Sequence, residues 1–429
     1  MKISEIIKKP EGRRIEFKTK LNSNTEFAKT IIAFANDAGG EIFVGINDKP
    51  REISGVNEED LLLLEEKISN IISDNCSPII LPEISFITFK NKYLIRVIIY
   101  KGNNPPYHLK NKNVRQGTYI RVGSSNRLAD RDIIDELERQ KSNISFDGLA
   151  VYSKVSNDID LSSFAKHFEE KTNEKTDKTI LKKLKLIIID QERSLPTNAL
   201  ILLSDDELRS LLFPYAKIEC ARFKGDRPGN FIDQKTVDVP LSLQAEQAYQ
   251  FVLRHISQGS EYEGVYRNDR WEYPVAAIRE VIRNSVIHRD YSLKGKDIKI
   301  AVFDTKIEIT SPGKLLPTVN YEEMESGQSD IRNKILAPVF KKLGIIEQWG
   351  NGLQIISDEM KKYSEVKINW DEPGMAFRVT FEKAGLSRPI LTLKESSVEY
   401  KRFSNSSNEK QQELQQELQQ ELQQELQQE

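Results

Sequence analysis

Two polar residues within an apolar helical pattern are the strongest candidates for chemistry in this chain. Glu280 and Asn284 stand four residues apart in the stretch 274–292, a spacing that places both side chains on one side of a helix. Their oxygen atoms suit Mg²⁺, which prefers oxygen ligands and keeps several waters. The alternative interpretation is a hydrogen-bonded pair at a helix surface. The helix is predicted from apolar residues at spacings of three and four: Val275, Ile278, Val281, Ile282 and Val286.

The residues that follow predict the elements that would position this pair. The stretch 297–310 predicts a β-hairpin, and the sequence SPG at 311–313 predicts a turn after it. The stretch 340–357 then predicts a helix, a turn at Gly344, and a second helix that begins with the sequence WGNGL at 349–353. A glycine-rich helix start lets backbone N–H groups approach the phosphates of a ligand closely.

In this order, the Glu-x-x-x-Asn helix, the hairpin and the two glycine elements resemble the ATP-binding fold of the gyrase, Hsp90, histidine-kinase and MutL superfamily (GHKL). The resemblance implies ATP and Mg²⁺ as cofactors, with Asn284 as ligand of a phosphate-bridging Mg²⁺ and Glu280 as the catalytic residue that orients water. The sequence departs from the superfamily where an aspartate that reads the adenine amino group is expected, since a serine stands there. The implied nucleotide contacts are Asn284, Ser311, Gly313, Gly350, Asn351 and Gly352.

Two polar segments beside these elements have further interpretations. His288 and Arg289 follow the predicted helix, where they suit a C-terminal cap favoured by the helix dipole. The alternative for Arg289 is a phosphate contact. Ser329, Arg332 and Asn333 are expected on a lid between the two glycine elements.

Composition restricts the class of protein. The 429 residues suffice for about two to four domains, and the net charge of −2 gives no overall attraction to nucleic acid, so any basic patch must be local. Cys76 and Cys220 are far apart and predict neither a zinc site nor a disulfide framework. Because the sequence has no signal-peptide pattern and no long apolar run, it predicts a cytoplasmic protein with no membrane partner.

The first 140 residues predict a separate domain of mixed helices and strands. Its motifs EFK (16–18), AFANDAGGEIFVGINDK (33–49) and YIRVGSSNRLADR (119–131) resemble the Schlafen AlbA-2 domain, which implies nucleic-acid binding, with DNA favoured over RNA. Around the loop after the strand predicted at 118–122, cations and small donors suit contacts with phosphates rather than with bases. The alternative is a solvated loop followed by a helix N-cap. The candidate nucleic-acid-binding residues are Lys18, Arg121, Ser124, Ser125, Asn126 and Arg127.

Three carboxylates in the same domain support a second hypothesis. In Schlafen proteins with RNase activity, two glutamates and an aspartate form a metal-dependent nuclease centre, and this sequence has Glu11, Glu16 and Asp48 at the matching motif positions. Three convergent carboxylates can hold Mg²⁺ or Mn²⁺ and activate water for phosphodiester cleavage. The alternative is that Glu16 pairs with Lys18 or an arginine, and that Asp48 is a turn residue.

The whole chain is expected to be an α+β protein with five successive segments. In the middle segment, the apolar run 198–203 predicts a strand. The segments are an AlbA-2-like domain (1–140), a mixed middle segment (141–255), a GHKL-like ATP-binding domain (256–385), a flexible linker (386–410) and a low-complexity QQEL tail (411–429).

The order of motifs also resembles one bacterial family over about residues 10–382, from ARFKG (221–225) to GNG (350–352). Its members are transcriptional regulators or RecG-like ATP-dependent helicases. The sequence contains no G-x-x-x-x-G-K-[ST] loop, so helicase motor activity is not expected. Three hypotheses remain: a nucleotide-switched DNA-binding regulator, dimeric by analogy with the resembled families; a metal-dependent nuclease; and a non-catalytic scaffold.

Overall fold

The computed structural model describes residues 3–21, 23–48, 50–263, 266–316, 330–346 and 352–384. All of them belong to the first of two units of the chain, which ends at Leu386. The linker predicted at 386–410 and the tail predicted at 411–429 lie outside the described residues, as do Ser329, Gly350 and Asn351. Within the described ranges, no helix has both the length and the apolar character needed to cross a membrane.

Helices and strands alternate in the N-terminal part of the chain. Its helices are α1 (Ile3–Ile6), α2 (Asn24–Asn36), α3 (Leu61–Asn75), α4 (Val114–Gly117) and α5 (Arg131–Lys141). Its strands are β1 (Ile15–Lys18), β2 (Gly40–Val44), β3 (Ile46–Asn47), β4 (Glu52–Ile53), β5 (Cys76–Ser77), β6 (Glu83–Phe89), β7 (Lys92–Ile99), β8 (His108–Leu109), β9 (Tyr119–Val122) and β10 (Ser125–Leu128).

Four of these strands form the sheet that supports the N-terminal core. Their order is β1-β2-β7-β6; β1 runs parallel to β2, and the other neighbours are antiparallel. Helix α2 shares a buried apolar cluster with Ile42 and Val97 of this sheet. The chain leaves α2 through Gly39, which has φ of +71° and where a Cβ would lie 2.7 Å from the carbonyl oxygen of Ile99. Only glycine allows this close turn from the helix into β2.

The segment after β9 is a strand, whereas its sequence predicts a loop. Strand β10 pairs antiparallel with β9, and Asn126 lies opposite Arg121. Gly123 and Ser124 form the turn between the two strands, and Gly123 has φ of +59°, a left-handed conformation that favours glycine. Five of the six residues predicted to contact nucleic acid therefore lie on a short hairpin, and the sixth, Lys18, lies in β1.

The middle of the chain is largely helical. The run 198–203, predicted as a strand, forms helix α8, and Thr197 caps its start by accepting a hydrogen bond from the N–H of Leu200 at 3.4 Å. The run is buried throughout, so it has neither the alternation of a strand nor the stripe of a surface helix. The elements are α6 (Ser162–Thr172), α7 (Lys178–Lys183), β11 (Ile187–Asp190), β12 (Arg193–Pro196), α8 (Asn198–Leu202) and α9 (Glu207–Leu212).

The C-terminal part adds helices and a larger sheet. Its helices are α10 (Leu241–Arg254), α11 (Val275–Ile287), α12 (Leu336–Lys342) and α13 (Gly352–Met360). Its strands are β13 (Ile218–Phe223), β14 (Phe231–Val237), β15 (Gln258–Glu263), β16 (Tyr266–Trp271), β17 (Ile298–Val302), β18 (Lys306–Pro312), β19 (Val366–Asp371) and β20 (Ala376–Lys383).

A six-stranded sheet organises this part, with the order β14-β13-β17-β18-β20-β19. Strands β13 and β17 are parallel, and the other neighbours are antiparallel. The sheet includes strands on both sides of position 255, where the sequence suggests a domain boundary. One apolar core extends from Val151 to Phe381, so the middle segment and the C-terminal strands share a core.

The structure refines the elements predicted around the candidate site. The hairpin of β17 and β18 and helix α11 form as predicted, and the mixture of helices and strands confirms the α+β class. Ser311 and Pro312 belong to the end of β18 instead of a turn, because they pair with Phe377 and Ala376 of β20. The chain turns only at Gly313, where φ is +107°.

Candidate functional site

A cavity of about 490 Å³ opens beside helix α11. Its walls come from α11, strands β18 and β20, helix α12 and the first residues of α13. Apolar side chains such as Val281, Leu353 and Phe377 form much of its surface. A concave, largely apolar space of about 300–1,000 Å³ with a few polar groups is typical of sites for small molecules.

Helix α11 places the predicted polar pair on the wall of this cavity. Glu280 is 4% exposed, and the half-buried Asn284 follows one turn later on the same wall. Gly352 lies directly against both residues, because a Cβ added to it would come within 2.3 Å of Glu280 Oε1 and 3.3 Å of Asn284 Nδ2. The structure therefore brings three of the predicted nucleotide-site residues together.

The start of α13 contributes backbone donors to the same place. Gly352 is its first residue, and α13 packs against α11. The first N–H groups of a helix have no partner within the helix and carry partial positive charge. A phosphate beside Asn284 can therefore have two favourable contacts. One is with the positively polarised start of α13, and the other is with a cation held by the side-chain oxygen of Asn284.

The first glycine element forms a close junction between β18 and the segment after α11. The hydroxyl of the buried Ser311 donates to the carbonyl oxygen of Ser285 at 2.8 Å. The N–H of Asp290 donates to the carbonyl of Pro312 at 2.8 Å, and a Cβ on Gly313 would lie 2.8 Å from the Cβ of Asp290. Ser311 and Gly313 line the cavity, but the hydroxyl proton of Ser311 is already used in holding strand β18 to helix α11.

Arg289 has a structural position, so the alternative of a phosphate contact is wrong. Its side chain is fully buried, and its guanidinium donates to the carbonyl oxygens of Lys296 at 2.6 Å and Asp290 at 3.2 Å. The same group lies over the rings of Tyr215 and Tyr291, at 5.1 and 4.7 Å from their centroids. Burial lowers the pKa of Arg289, and the nearby Tyr291, Tyr215, Asp290 and Asp297 partly offset this decrease.

The residues around His288 also differ from the predicted lid. Asn333 is buried and donates to the carbonyl oxygens of Ile287 at 2.6 Å and Arg289 at 2.9 Å, and Arg332 pairs with Asp290 at 3.1 Å. These two residues therefore clamp the end of α11. His288 lines the cavity, and loss of hydration, reinforced by Arg332, lowers its pKa from 6.5 to about 4. Its imidazole is neutral at physiological pH.

In the N-terminal domain, Glu16 is held by cations. One carboxylate oxygen accepts from Arg121 and the other from Lys18. Glu16 and Arg121 are both buried, with only 1% of the arginine side chain exposed. The predicted alternative, an ion pair of Glu16 with Lys18 or an arginine, is the arrangement that the structure has.

The other two carboxylates of the nuclease hypothesis have partners as well. Glu11 Oε1 accepts a hydrogen bond from the N–H of Phe17 at 2.9 Å, and Asp48 pairs with Arg51. Burial raises the pKa of Glu11, and the nearby charges of Glu16 and Asp48 add to that rise, so the three groups are neighbours. Within the described ranges, no group of three or more acidic, histidine or cysteine side chains is arranged to hold a metal ion.

The predicted nucleic-acid-binding residues separate into an interior and an exposed set. Arg121 also donates to the carbonyl of Gly12 at 3.1 Å and to Asn126 Oδ1 at 2.9 Å, while Asn126 donates to Thr30 Oγ1 at 2.9 Å. Arg121 and Asn126 therefore fix the β9–β10 hairpin to the domain, and Arg121 does not reach the surface as predicted. The exposed set on the hairpin is Ser124, Ser125 and Arg127, with the partly exposed Lys18 in β1.

Sequence reasoning missed an ion cluster that joins the N-terminal domain to the cavity. Arg13 binds both carboxylate oxygens of Asp37, at 2.6 and 2.7 Å, and also Glu372 Oε1 at 2.6 Å. It further donates to the carbonyl of Leu315 at 2.9 Å, and Glu372 accepts from the N–H of Leu315 at 2.9 Å. The segment after β18 is thus held directly by the N-terminal domain.

Lys314 belongs to the same cluster and lines the cavity. Its ammonium donates to the carbonyl oxygen of Arg121 and lies 3.7 Å from Asp37 Oδ2. The one local signal for this residue is its position, because it directly follows Gly313 in the first glycine element.

Comparison with protein families finds two matching domains. Residues 11–130 match the family described as "Schlafen, AlbA_2", and residues 295–381 match the family described as "Putative ATP-dependent DNA helicase recG C-terminal". An "Uncharacterized ATP-binding protein UU034" of Ureaplasma parvum is 27% identical over 142 residues, which are 32% of this chain. The match spans 40% of that relative's length. These matches confirm the expected combination of a Schlafen AlbA_2 domain at the N-terminal side and a RecG-like C-terminal domain, while the boundaries of the five segments stay a prediction.

Two solved structures resemble this chain at low identity. The crystal structure of the DIP2311 protein from Corynebacterium diphtheriae is 19% identical, covering 86% of this chain and 75% of that one, with a TM-score of 0.46. The solution structure of the N-terminal domain of a "Putative ATP-dependent DNA Helicase RecG-related Protein" from Nitrosomonas europaea is 22% identical, covering 30% and 90% respectively, with a TM-score of 0.24.

Proposed function

We propose that this chain, which carries a Schlafen AlbA_2 domain followed by a RecG-like C-terminal ATPase-type domain, is an ATP-binding regulator that associates with nucleic acid, preferentially DNA. One observation carries the proposal: Glu280, Asn284 and Gly352 meet on the wall of a cavity of about 490 Å³. A carboxylate, a metal-binding amide oxygen and a glycine at a helix start are the groups that a Mg²⁺-nucleotide site needs.

Each of these residues has a role in the proposed site. Asn284 would hold Mg²⁺ through its side-chain oxygen, and the N–H groups at the start of α13 would bind the phosphates. Gly352 keeps this space open, because any larger residue would enter the space of Glu280. When bound, Mg²⁺ would neutralise phosphate charge, and Glu280 would orient water if the nucleotide is hydrolysed.

The N-terminal domain would supply the nucleic-acid contacts. Ser124, Ser125 and Arg127 are exposed on the β9–β10 hairpin, whose base is fixed by the buried Arg121. Small donors and a cation on a rigid hairpin favour contacts with phosphates, which position a protein on nucleic acid without reading its sequence. We expect binding to duplex DNA to weaken with salt, and Arg127→Ala to reduce the salt dependence by about one phosphate contact. Lys367→Ala, on exposed β19, is the control and should leave the slope unchanged.

The nuclease and helicase alternatives receive no support from the residues present. Glu16 is already neutralised by Arg121 and Lys18, and Asp48 by Arg51. A metal ion would have to displace these cations. A helicase motor needs a phosphate-binding P-loop, and the sequence has none.

The first test is binding of a fluorescent ATP analogue with Mg²⁺ to the wild type and to Asn284→Ala. Saturable binding by the wild type that weakens at least about tenfold in the variant is the expected result, corresponding to about 1.4 kcal/mol. Asn369→Ala on exposed β19 is the matched control and should bind as the wild type does. Absence of binding by the wild type would overturn the proposal and favour the scaffold hypothesis.

A further inference from the structure

Lys314 stands where the candidate nucleotide cavity meets the N-terminal domain. It directly follows Gly313, and its side chain is 7% exposed. It lines the 490 Å³ cavity and also a smaller one of about 90 Å³, whose other walls include Arg13, Asp37 and Lys101 of the N-terminal domain. One ammonium group is therefore within reach of a ligand on one side and of the N-terminal domain on the other.

The partners of Lys314 hold it less completely than those of Arg13. Asp37 gives both carboxylate oxygens to Arg13 at hydrogen-bond distance, while Lys314 Nζ lies 3.7 Å from it. Lys314 also donates to the carbonyl oxygen of Arg121. An ammonium carries three N–H donors, so this arrangement leaves capacity for an anionic ligand.

The charges around Lys314 and Asp37 also favour an additional anion beside Lys314. Burial lowers the pKa of Lys314, and the neighbouring Arg13 adds to the decrease, while Asp37 and Glu372 oppose it. Burial would raise the pKa of Asp37, but Arg13 and, to a smaller extent, Lys314 and Lys101 lower it overall. Asp37 is thus well compensated, whereas Lys314 is a desolvated cation that a second anion would stabilise.

We propose that Lys314 is a phosphate-binding residue of the cavity, and that a nucleotide triphosphate or another polyphosphate bound there draws its ammonium away from Asp37 and the Arg121 carbonyl. The inference rests on the proposed function, because it assigns a further contact and a regulatory consequence to the same cavity. A lysine is suited to this role, since its ammonium is a point charge on a flexible stem that can change partners.

Movement of Lys314 would affect the predicted nucleic-acid-binding hairpin through few intervening contacts. The Arg121 carbonyl that accepts from Lys314 belongs to β9, and the Arg121 side chain holds Glu16 and Asn126. Asn126 lies in β10 beside the exposed Arg127. A ligand in the cavity would therefore change the support of this hairpin, and by reciprocity nucleic acid on the hairpin would change ligand affinity by the same factor.

The test compares three substitutions by titration with ATP and with inorganic tripolyphosphate, each with Mg²⁺. Lys314→Met keeps the length of the side chain without its charge and is expected to weaken both ligands at least about tenfold, whereas Lys314→Arg keeps the charge and should retain binding. Asp37→Asn removes the competing carboxylate charge and is expected to tighten binding about two- to fivefold. Lys367→Met is the matched control: Lys367 is exposed on β19, outside the residues that line the cavity, and should change binding less than about threefold.

The outcomes separate this inference from the proposed function. If ATP binds the wild type and Lys314→Met equally well while Lys314→Met remains folded by thermal unfolding, the inference is overturned and the function stands. If tripolyphosphate binds in a Lys314-dependent way and ATP does not bind, the nucleotide function fails and the phosphate site stands. If neither ligand binds the wild type, both are overturned.

A second readout follows the hairpin itself. Saturating ATP should increase amide hydrogen exchange in β9 and β10 of the wild type, because the Arg121 carbonyl loses its lysine donor. The increase should be absent in Lys314→Met and present in Lys367→Met. Equal exchange with and without ATP in the wild type, under conditions where ATP is bound, would contradict the release of Lys314 from the N-terminal domain.

Discussion

Two groups of polar residues, one in each half of the chain, have opposite surroundings. In the N-terminal domain, Glu16 is buried against Arg121 and Lys18, and its charge is satisfied within the protein. In the C-terminal part, Glu280 and Asn284 face a cavity, with the glycine start of α13 in contact. The first group is enclosed in the domain interior with its ion pairs, whereas the second borders a space that a ligand can fill.

The contrast shows that residue type and spacing do not distinguish a structural carboxylate from a functional one. What distinguishes them is whether the carboxylate borders a space that a metal ion or substrate can fill. A buried ion pair whose geometry is complete resists exchange, because breaking it leaves an unpaired charge out of water. The cluster around Asp37 lies between these two cases. Arg13 is fully paired there, as Glu16 is in its own cluster, whereas Lys314 keeps donors that a ligand can use.

The largest expected effect comes from breaking the buried pair in the N-terminal domain. Arg121→Met should lower the free energy of unfolding by about 3–5 kcal/mol, because Glu16 would remain buried with only Lys18 as its cation. The midpoint of chemical unfolding measures this. Asp48→Asn is the control, since the Asp48–Arg51 pair is more exposed, at 32% and 23%, and should contribute less than about 1 kcal/mol. If Arg121→Met is as stable as the wild type, the burial of Glu16 does not depend on its ion pair with Arg121.

The next largest effect concerns the close contact at the cavity. Gly352→Ala would place a methyl group 2.3 Å from Glu280 Oε1, so either Glu280 or the start of α13 must shift. We expect ATP affinity to fall at least about tenfold and stability to fall by about 1–3 kcal/mol, as for other overpacked sites. Gly229→Ala, where a Cβ would meet nothing within 4 Å, is the control. Unchanged ATP affinity in Gly352→Ala would show that the start of α13 is not part of the ligand site.

A smaller effect is expected from pH at the cavity wall. Because the pKa of His288 is about 4 in the folded protein and 6.5 as an ordinary histidine, the unfolded chain binds more protons between these values. Stability should therefore fall as the pH decreases from about 6.5 to about 4, by on the order of 1–3 kcal/mol for this half-buried group. His288→Gln should flatten that part of the stability profile. An equally steep profile in His288→Gln would assign the pH dependence to other groups.

The secondary-structure predictions that the structure confirms rest on local sequence patterns. Helix α11 and the hairpin of β17 and β18 could be predicted because apolar periodicity is a local property, and the four-residue spacing of Glu280 and Asn284 then placed them on one side. Helix α8 was mispredicted because a short run that is buried on all sides has no period.

Contacts between distant segments set the limit of the sequence predictions. The Arg121 side chain pairs with Glu16 across 105 residues, and its backbone carbonyl accepts from Lys314 across 193, and no local pattern encodes either partner. The sequence predicts a surface role for Arg121 because it precedes a predicted glycine loop, yet domain packing determines where the side chain lies. The same limit applies to Arg289, whose place between two tyrosine rings depends on Tyr215, 74 residues earlier.

The smallest expected effect is discrimination between nucleotide bases, and it depends on Ser311. This hydroxyl donates to the carbonyl of Ser285 and carries no charge. It is therefore a weaker hydrogen-bond acceptor for an adenine amino group than an aspartate carboxylate would be. We expect ATP and GTP to bind within about tenfold of each other, whereas sites built to hydrogen-bond a specific group discriminate by about 10⁴ or more. Competition of unlabelled ATP and GTP against the fluorescent analogue measures the ratio. A preference for ATP above about 100-fold would show that another residue of the cavity reads the base, and Ser311→Ala with unchanged selectivity would then exclude the serine. The contrast between the two halves of the molecule would become sharper in that case, because the cavity would select a ligand as well as leave room for one.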